Sequence, residues 1–544
     1  MPPRILLSSV FKPFAVNDMY SRKQSILDLF HNQLTKYQGI YSVRTSDDSY
    51  GIHTIANNLG IPCTVLDFPT QKRFTREIKK GYDYIGISSI VHNFQKIKWM
   101  VEKIRKISPR SKIIIGCFCA AIPDLQKVLD VDYVCIGEGI SFMRELLGLP
   151  VEFEFKNPDI STDFSELLGV PLFGIPKIPQ IAIGLGCSYG CDFCSPSHFF
   201  GRRHIRFYKS GRILFEEILR LSKKFKLNMI SLMGDDNFFL DLKRAEDLRR
   251  CVVESGKVFN FFIFGSADKV MDFGVEKLAE MGTSIIWIGR ESRFSNYSKN
   301  RGIEIKSVVD ELRRYGIKTI LSSILLLDKH TKENIREDID EHLACRPAFS
   351  QFSHYAPVPQ TPLWNRILDE GRLIPGIPWE EMHAFNEPWF YHPNFTTREG
   401  KDIQNEAYRL DFQELGPSIL RYIETEYEGW KNLRQSNKLH LRARADFFAQ
   451  QMNLYKIILA AMDHLVPNTH MRKLIKNVRN QVEDSFGKIN TFQSAAASGI
   501  FLAGRFREFR SRHWGDVIQP PTRLEYYNGK KRLFDTRLNI AKKV

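Results

Sequence analysis

The chain reads as an α/β protein in three parts: a doubly wound sheet, a full or partial (β/α) barrel, and a mainly helical C-terminal region. Three observations predict this. Short β runs alternate with helical patterns over residues 1–150. A second strand–helix series runs over residues 181–375. Helical periodicity then dominates residues 376–544. Strand–helix alternation implies parallel pairing through right-handed crossovers, with ligands at the carboxyl ends of the strands.

In the first part, Arg4–Val10, Tyr84–Ser88, Lys112–Cys117 and Asp132–Gly137 read as strands. Between them, Phe94–Ser108 is a helix with Ile97, Met100, Val101 and Ile104 on one face. Asp124–Leu129 is a short helix, and another begins near Ser141. The predicted strand ends carry Ser88, Ser89, Gly116 and the Gly137-Glu138-Gly139 turn. Residues 151–180 include GVPLFGIPKIPQ and read as a linker. The barrel strands are expected at Ile181–Gly186, Met229–Gly234, Phe259–Ser266, Ser284–Gly289, Lys318–Leu327 and Phe349–Pro357. Leu439–Phe486 is helix-periodic throughout, and Phe501–Lys543 interleaves Arg and Lys with aromatics.

Composition bounds the function. The 544 residues are 43% hydrophobic and 26% charged, which fits a globular chain and excludes a disordered or fibrous one. No stretch offers the ~18 uninterrupted apolar residues of a membrane span. The first residues, MPPRILLSSVFKPFAVND, do not read as a secretory signal. A cytoplasmic protein is expected, with thiols rather than a disulfide framework, since nine cysteines are sparse in this length. A net charge of +16 points to an anionic partner or surface.

Three of the cysteines crowd into GLGCSYGCDFCSPSHFFG. Cys187, Cys191 and Cys194 stand at CxxxCxxC spacing just after a predicted strand. A structural zinc site takes four ligands, so zinc would need a fourth from elsewhere, for example His198. Three thiolates suit an iron–sulfur cluster with one iron left open, because a closed cluster takes four cysteines.

This motif, with the aromatic Phe193 before its last cysteine, resembles that of the radical S-adenosylmethionine (SAM) enzymes. The resemblance implies a [4Fe–4S] cluster on Cys187, Cys191 and Cys194, whose open iron chelates SAM. One electron then cleaves the sulfonium to a 5′-deoxyadenosyl radical. Further segments resemble the family in the right order. MGDDNFF places Gly234, Asp235 and Asp236 where the family's Gly-Gly-Glu motif receives the cofactor's amino group. IGRESRFSNYSKNRG is similar to its G-x-E-S … K-x-G segment, so Glu291 and Ser292 are expected near the ribose; Arg290 replaces a usual aliphatic residue. Ser266 joins this implied cofactor-binding set. HYAPVPQTPLW resembles P-x-P-G-T-P-L, with Gln360 in place of Gly.

The N-terminal part resembles the Rossmann-like cobalamin-binding domain of one branch of that family. The match lies in the strand ends, the GEG turn, Phe142 and Leu146–Leu147. It implies a corrinoid near Ser88, Ser89, Gly116, Gly137, Glu138 and Gly139. The D-x-H-x-x-G loop of many cobalamin proteins is missing from the sequence; Asp328-Lys329-His330 copies only its start, and lies in the barrel. Cys117 stands where the branch carries a second glycine. His92 is expected to be a solvent-facing histidine at a helix start. The rival reading is a domain that has lost its corrinoid and only supports the barrel.

Residues 411–430 resemble the C-terminal region of the hopanoid methylases. Gly499–Trp514 adds an amphipathic stretch with Arg505, Arg507, Arg510 and Arg512, as a peripheral membrane helix would. The resemblance implies methylation of an unactivated carbon on a large apolar, lipid- or isoprenoid-like substrate, with a flavodoxin or ferredoxin as reductant. The alternatives are oxidative cyclisation, as in the anaerobic magnesium-protoporphyrin ester cyclases, and tRNA or peptide modification. No nucleic-acid-binding module is recognisable.

Overall fold

In the computed structural model, which describes residues 2–22, 28–172, 177–232, 237–514 and 518–529, two parallel sheets carry the chain. The first has the order Arg523–Tyr527, Cys63–Asp67, Ile5–Ser9, Tyr84–Ser88, Lys112–Gly116, Tyr133–Val134. Every pairing is parallel except that of Arg523–Tyr527, which runs antiparallel along Cys63–Asp67. The crossover direction reverses between Ile5–Ser9 and Tyr84–Ser88, which is where such sheets take ligands. Ile5, Leu7, Val65 and Ile114 bury one face against the helices Tyr50–Asn58 and Gly139–Leu146. Gly139 allows that contact: a Cβ there would stand 2.6 Å from Ile55 Cδ1.

The second sheet has the order Met229–Ser231, Asn260–Gly265, Thr283–Glu291, Lys318–Leu325, Phe349–His354, all parallel, and forms a partial barrel. Helices Thr397–Leu415, Ser418–Leu433, Leu439–Leu465, Thr469–Phe486 and Thr491–Trp514 follow it. Ser418–Leu433 is tied to the sheet by a buried Lys318–Glu426 ion pair at 2.7 Å. It comes so close that a Cβ on Gly429 would lie 2.4 Å from Gly316 Cα. Among the described residues, no helix is long and apolar enough to cross a membrane.

Several expectations change. The chain divides into a unit of residues 1–25, 48–160 and 519–544, and a unit of residues 26–47 and 161–518, rather than into contiguous stretches. Part of the expected linker is structured: Ser161–Leu167 pairs with Arg44–Asp47, Val170–Pro171 and Ile178–Pro179. Ile181–Ile183 is fully buried, yet the expected first barrel strand is irregular. It joins the sheet through the Gln180–Ser231 bridge, and only Gly184–Leu185 is regular, antiparallel to Ile205–Arg206. Asp132–Gly137 shortens to Tyr133–Val134 at the edge of the sheet, and the chain turns through Gly137, whose φ is 93°, into the helix Gly139–Leu146. His92 does stand at a helix start, but it is buried, and burial with Lys96 nearby pulls its pKa down to about 4.

Candidate active site

The cysteine loop lies between Gly184–Leu185 and the short helix Ser195–Phe199. Gly186 and Gly190 have φ of 78° and 70°, a left-handed backbone that favours glycine and lets the chain curl. The loop is fastened from within. Ser197 Oγ donates to the Cys187 carbonyl at 2.7 Å and accepts from Gly190 N–H at 3.2 Å. Cys194 N–H donates to the Cys191 carbonyl at 3.0 Å. All three cysteines are half-buried thiols. Burial pushes Cys191 up to about 11, against the pull of the Lys299 ammonium.

The loop is also fastened from outside. Asp192 accepts from Tyr297 Oη at 2.7 Å and from Tyr355 Oη. Its carbonyl accepts from Leu363 N–H at 3.0 Å. Phe193 packs edge-on against Tyr297, with ring centroids 5.3 Å apart, and joins the apolar cluster of Ile324, Leu327 and Leu363. The two residues between the second and third cysteines therefore lock the loop to later strands.

A cavity of about 240 Å³ opens beside the loop. Its walls include Cys187, Cys191 and Cys194, Tyr189, Asn237, Ser266, Trp287, Glu291, Lys299 and Gln351. Glu291 ends its strand at a register shift with φ of 64°, a strained conformation for a residue with a side chain. Its carboxylate pairs with Lys299. Burial opposes the Lys299 charge, but the Glu291 carboxylate outweighs it and the pKa is raised. Ser266 Oγ accepts from Asn237 Nδ2 at 3.0 Å, and Tyr189 Oη donates to Asp268.

Of the sequence-predicted residues, the structure gathers Cys187, Cys191, Cys194, Ser266 and Glu291 around this cavity. Ser292 is absent from its walls. Its hydroxyl bonds the His330 ring at 3.3 Å and accepts from Phe294 N–H, beside a separate groove. Gly234, Asp235 and Asp236 lie outside the described residues. Lys299, Tyr189 and Asn237 were not singled out, although Lys299 lies in the quoted IGRESRFSNYSKNRG segment and Tyr189 inside the cysteine motif. His198 Nε2 faces the Cys191 carbonyl at 3.1 Å and so carries its proton there, which turns that nitrogen away from metal binding.

The donor set fits an iron–sulfur cluster. Among the described residues, no three His, Cys, Asp or Glu side chains are gathered tightly enough to hold a single metal ion. Thiolates that each bind a different iron do not need that closeness.

In the other unit, Ser88 and Gly116 pair at adjacent strand ends, and Ser89 N–H donates to the Gly116 carbonyl at 3.4 Å. Gly116 is extended, with φ of −131°, and a Cβ there would make only ordinary contact with Cys135 at 3.8 Å. Neither backbone nor packing within the unit demands glycine at 116, so its bareness suits the close approach of a flat ligand. Gly137, by contrast, has φ of 93° and is required by the backbone. The Glu138 carboxylate accepts from Ile140 N–H and Ser141 N–H and caps Gly139–Leu146.

Residues 181–342 match the Radical SAM superfamily model. Among curated proteins, the chain is similar to an uncharacterized methyltransferase of Pyrococcus horikoshii, with 24% identity over 267 residues, 48% of this chain and 55% of that protein. It is 24% identical over 285 residues to the hopanoid C-2 methylase of Rhodopseudomonas palustris, 48% of this chain and 52% of that one. The chain spans about half the length of these two relatives. Among solved structures, the radical SAM methyltransferase TsrM of Kitasatospora setae, with cobalamin and a [4Fe–4S] cluster bound, shares the fold. Its TM-score is 0.53 at 14% identity, covering 83% of this chain and 99% of that one. The arrangement of a doubly wound sheet, a half-barrel and C-terminal helices is thus a known one.

Proposed function

We propose that this protein is a cobalamin-dependent radical SAM methyltransferase acting on an unactivated carbon of a large apolar, lipid- or isoprenoid-like molecule. One observation carries the reading: three thiols and a Glu291–Lys299 pair share one cavity at the carboxyl end of the half-barrel. The doubly wound unit, with its bare strand end at Gly116, supports the corrinoid part. The relatives named as methyltransferases support the reaction class.

In this reading Cys187, Cys191 and Cys194 hold the cluster, and Asp192 and Phe193 keep their loop in place. The bound cofactors supply a 5′-deoxyadenosyl radical and a transferable methyl group. Glu291 takes the ribose hydroxyls as an acceptor, and its ion pair with Lys299 holds it in place. Ser266, with Gly234, Asp235 and Asp236, lines the remaining cofactor contacts. Residues Ser88, Ser89, Gly116 and Gly137–Gly139 cradle the corrinoid. An apolar substrate is drawn most simply from a bilayer, so the same reading makes the enzyme a peripheral protein of the cytoplasmic membrane face, reduced by a flavodoxin or ferredoxin.

The test is anaerobic purification followed by iron and cobalt counts, then incubation with methyl-labelled SAM, a reductant and a lipid extract. Four irons and one corrinoid per chain, with label entering an apolar product, are expected. Stoichiometric zinc without iron overturns the cluster. Iron without saturable corrinoid binding overturns methylation.

A further inference from the structure

The helix Thr491–Trp514 buries Ala497, Gly504 and Arg507, and Arg507 is locked by an ion pair to Glu166 at 2.6 Å. Its inner side is built from small residues. A Cβ on Gly169 would stand 2.9 Å from the Ala503 carbonyl, so the helix lies against the turn at 168–170 as closely as a backbone can.

Its outer side is a stripe. Phe492, Leu502, Phe506 and Phe509 are 81%, 65%, 63% and 50% exposed, and Ala495 and Gly499 continue their line. The spacing alternates three and four residues, so the stripe runs nearly along the helix axis for about 26 Å. At about 100° per residue, Arg505 and Arg512 fall on one flank and Arg510 on the other. All three are exposed. The acid of this segment, Glu508, is paired with Arg505 at 2.8 Å.

We infer that this face docks the protein on an anionic lipid surface. The exposed large apolar side chains Leu502, Phe506 and Phe509, in line on one face, mark a contact surface, and an apolar stripe with arginine flanks suits the headgroup boundary of a bilayer. A second copy is the poorer occupant. Self-pairing through this stripe would set arginine flank against arginine flank in a chain of net charge +16. Arg507 plays no part in docking, because its side chain is buried on Glu166; Arg510 also reaches Glu166, at 3.8 Å, but like Arg505 it keeps an exposed side chain. The inference rests on the apolar-substrate reading for its purpose, while the surface itself is read from the helix.

The experiment is flotation of the full chain with phosphatidylcholine vesicles and with vesicles containing phosphatidylglycerol. Light scattering and SAM cleavage in solution are measured in parallel. Flotation is expected with the anionic vesicles at low salt and is expected to fall as salt rises. The triple variant Arg505→Glu, Arg510→Glu, Arg512→Glu should weaken partition about a hundredfold. Phe506→Glu with Phe509→Glu should abolish it, and both variants should still cleave SAM. No flotation, or flotation unchanged in both variants, overturns the inference. So does a doubled mass in solution that Phe506→Glu splits. Loss of SAM cleavage in the unmodified chain would instead strike the enzymatic reading and leave docking to stand or fall on flotation.

Discussion

In the N-terminal unit, Phe68 and Cys117 directly follow the strands Cys63–Asp67 and Lys112–Gly116, with φ of 43° and 61°. In the half-barrel, Glu291 ends Thr283–Glu291 and Leu326 follows Lys318–Leu325, with φ of 64° and 63°. Both sheets thus hold non-glycine residues in left-handed backbone at the edge where ligands of such sheets bind. The space above those ends is furnished differently. The half-barrel presents thiols, an ion pair and a tyrosine. The N-terminal sheet presents two serines and glycines at 116 and 137. One end suits a small charged group held by many side chains, and the other a broad flat face held mainly by backbone.

Removing the thiols breaks the contrast outright. Cys187→Ala, Cys191→Ala and Cys194→Ala together should abolish iron binding and SAM cleavage, read by metal analysis and by 5′-deoxyadenosine release. Corrinoid binding should survive in the same protein.

Acid separates the units next. Burial keeps His354 neutral down to about 3 and His342 lower than its ordinary value too, both in the half-barrel unit. In the N-terminal unit, buried His92 is held down to about 4. The unfolded chain binds these protons near pH 6.5, so the stability is present above that pH and lost as pH falls toward the folded values. At pH 5 His354 and His92 each cost about 2 kcal/mol, and His342 adds to the loss in the half-barrel unit. The half-barrel unit, which also holds His31, pulled down to about 3 by burial, should therefore lose more than the N-terminal unit, which hydrogen exchange read peptide by peptide during urea unfolding at pH 7.5 and 5 would reveal.

Gly116→Phe sharpens the comparison from the other side. It should weaken hydroxocobalamin binding about tenfold or more, by spectral titration, with little effect on folding. Equal affinity would mean that no ligand approaches that strand end.

The smallest effect concerns Gln360, whose φ of 68° occupies the place of the family's glycine. Gln360→Gly should relieve ~1–2 kcal/mol of left-handed strain. Greater freedom of the unfolded chain takes back ~0.4–1 kcal/mol. A gain of about 0.5 kcal/mol is expected from urea unfolding, since the side chain is exposed and makes little packing.

Much of this architecture was legible. Tyr84–Ser88 appears with the predicted bounds, and Phe94–Ile107 within one residue, because buried parallel strands read as apolar runs and the helix keeps a strict apolar face. Departures from the family pattern were legible as departures, but not their physical meaning. Cys117 and Gln360 replace glycines at positions that are left-handed. Arg290 replaces an aliphatic residue and is buried on Asp338 at 2.8 Å and Glu341 at 2.9 Å. The strands Cys63–Asp67 and Arg523–Tyr527 went unread. The first is five residues buried on both faces, with no alternation to mark it. The second is defined by a partner some 460 residues away. Glu291 and Ser292 end in different places, one on the cavity wall and one on His330, as the alternation of side chains at a strand end allows.

The antiparallel strand Arg523–Tyr527 also sets an order of events during synthesis. The ribosome makes five strands of the first sheet early, yet Cys63–Asp67 keeps an unpaired edge until residue 527 has emerged. The unit begun first is completed last, after the whole half-barrel has been made. An edge left open for so much of synthesis is exposed to pairing with other chains. A tag or stop placed just before residue 523 would leave a chain with an intact cysteine loop and a permanently unfinished first sheet.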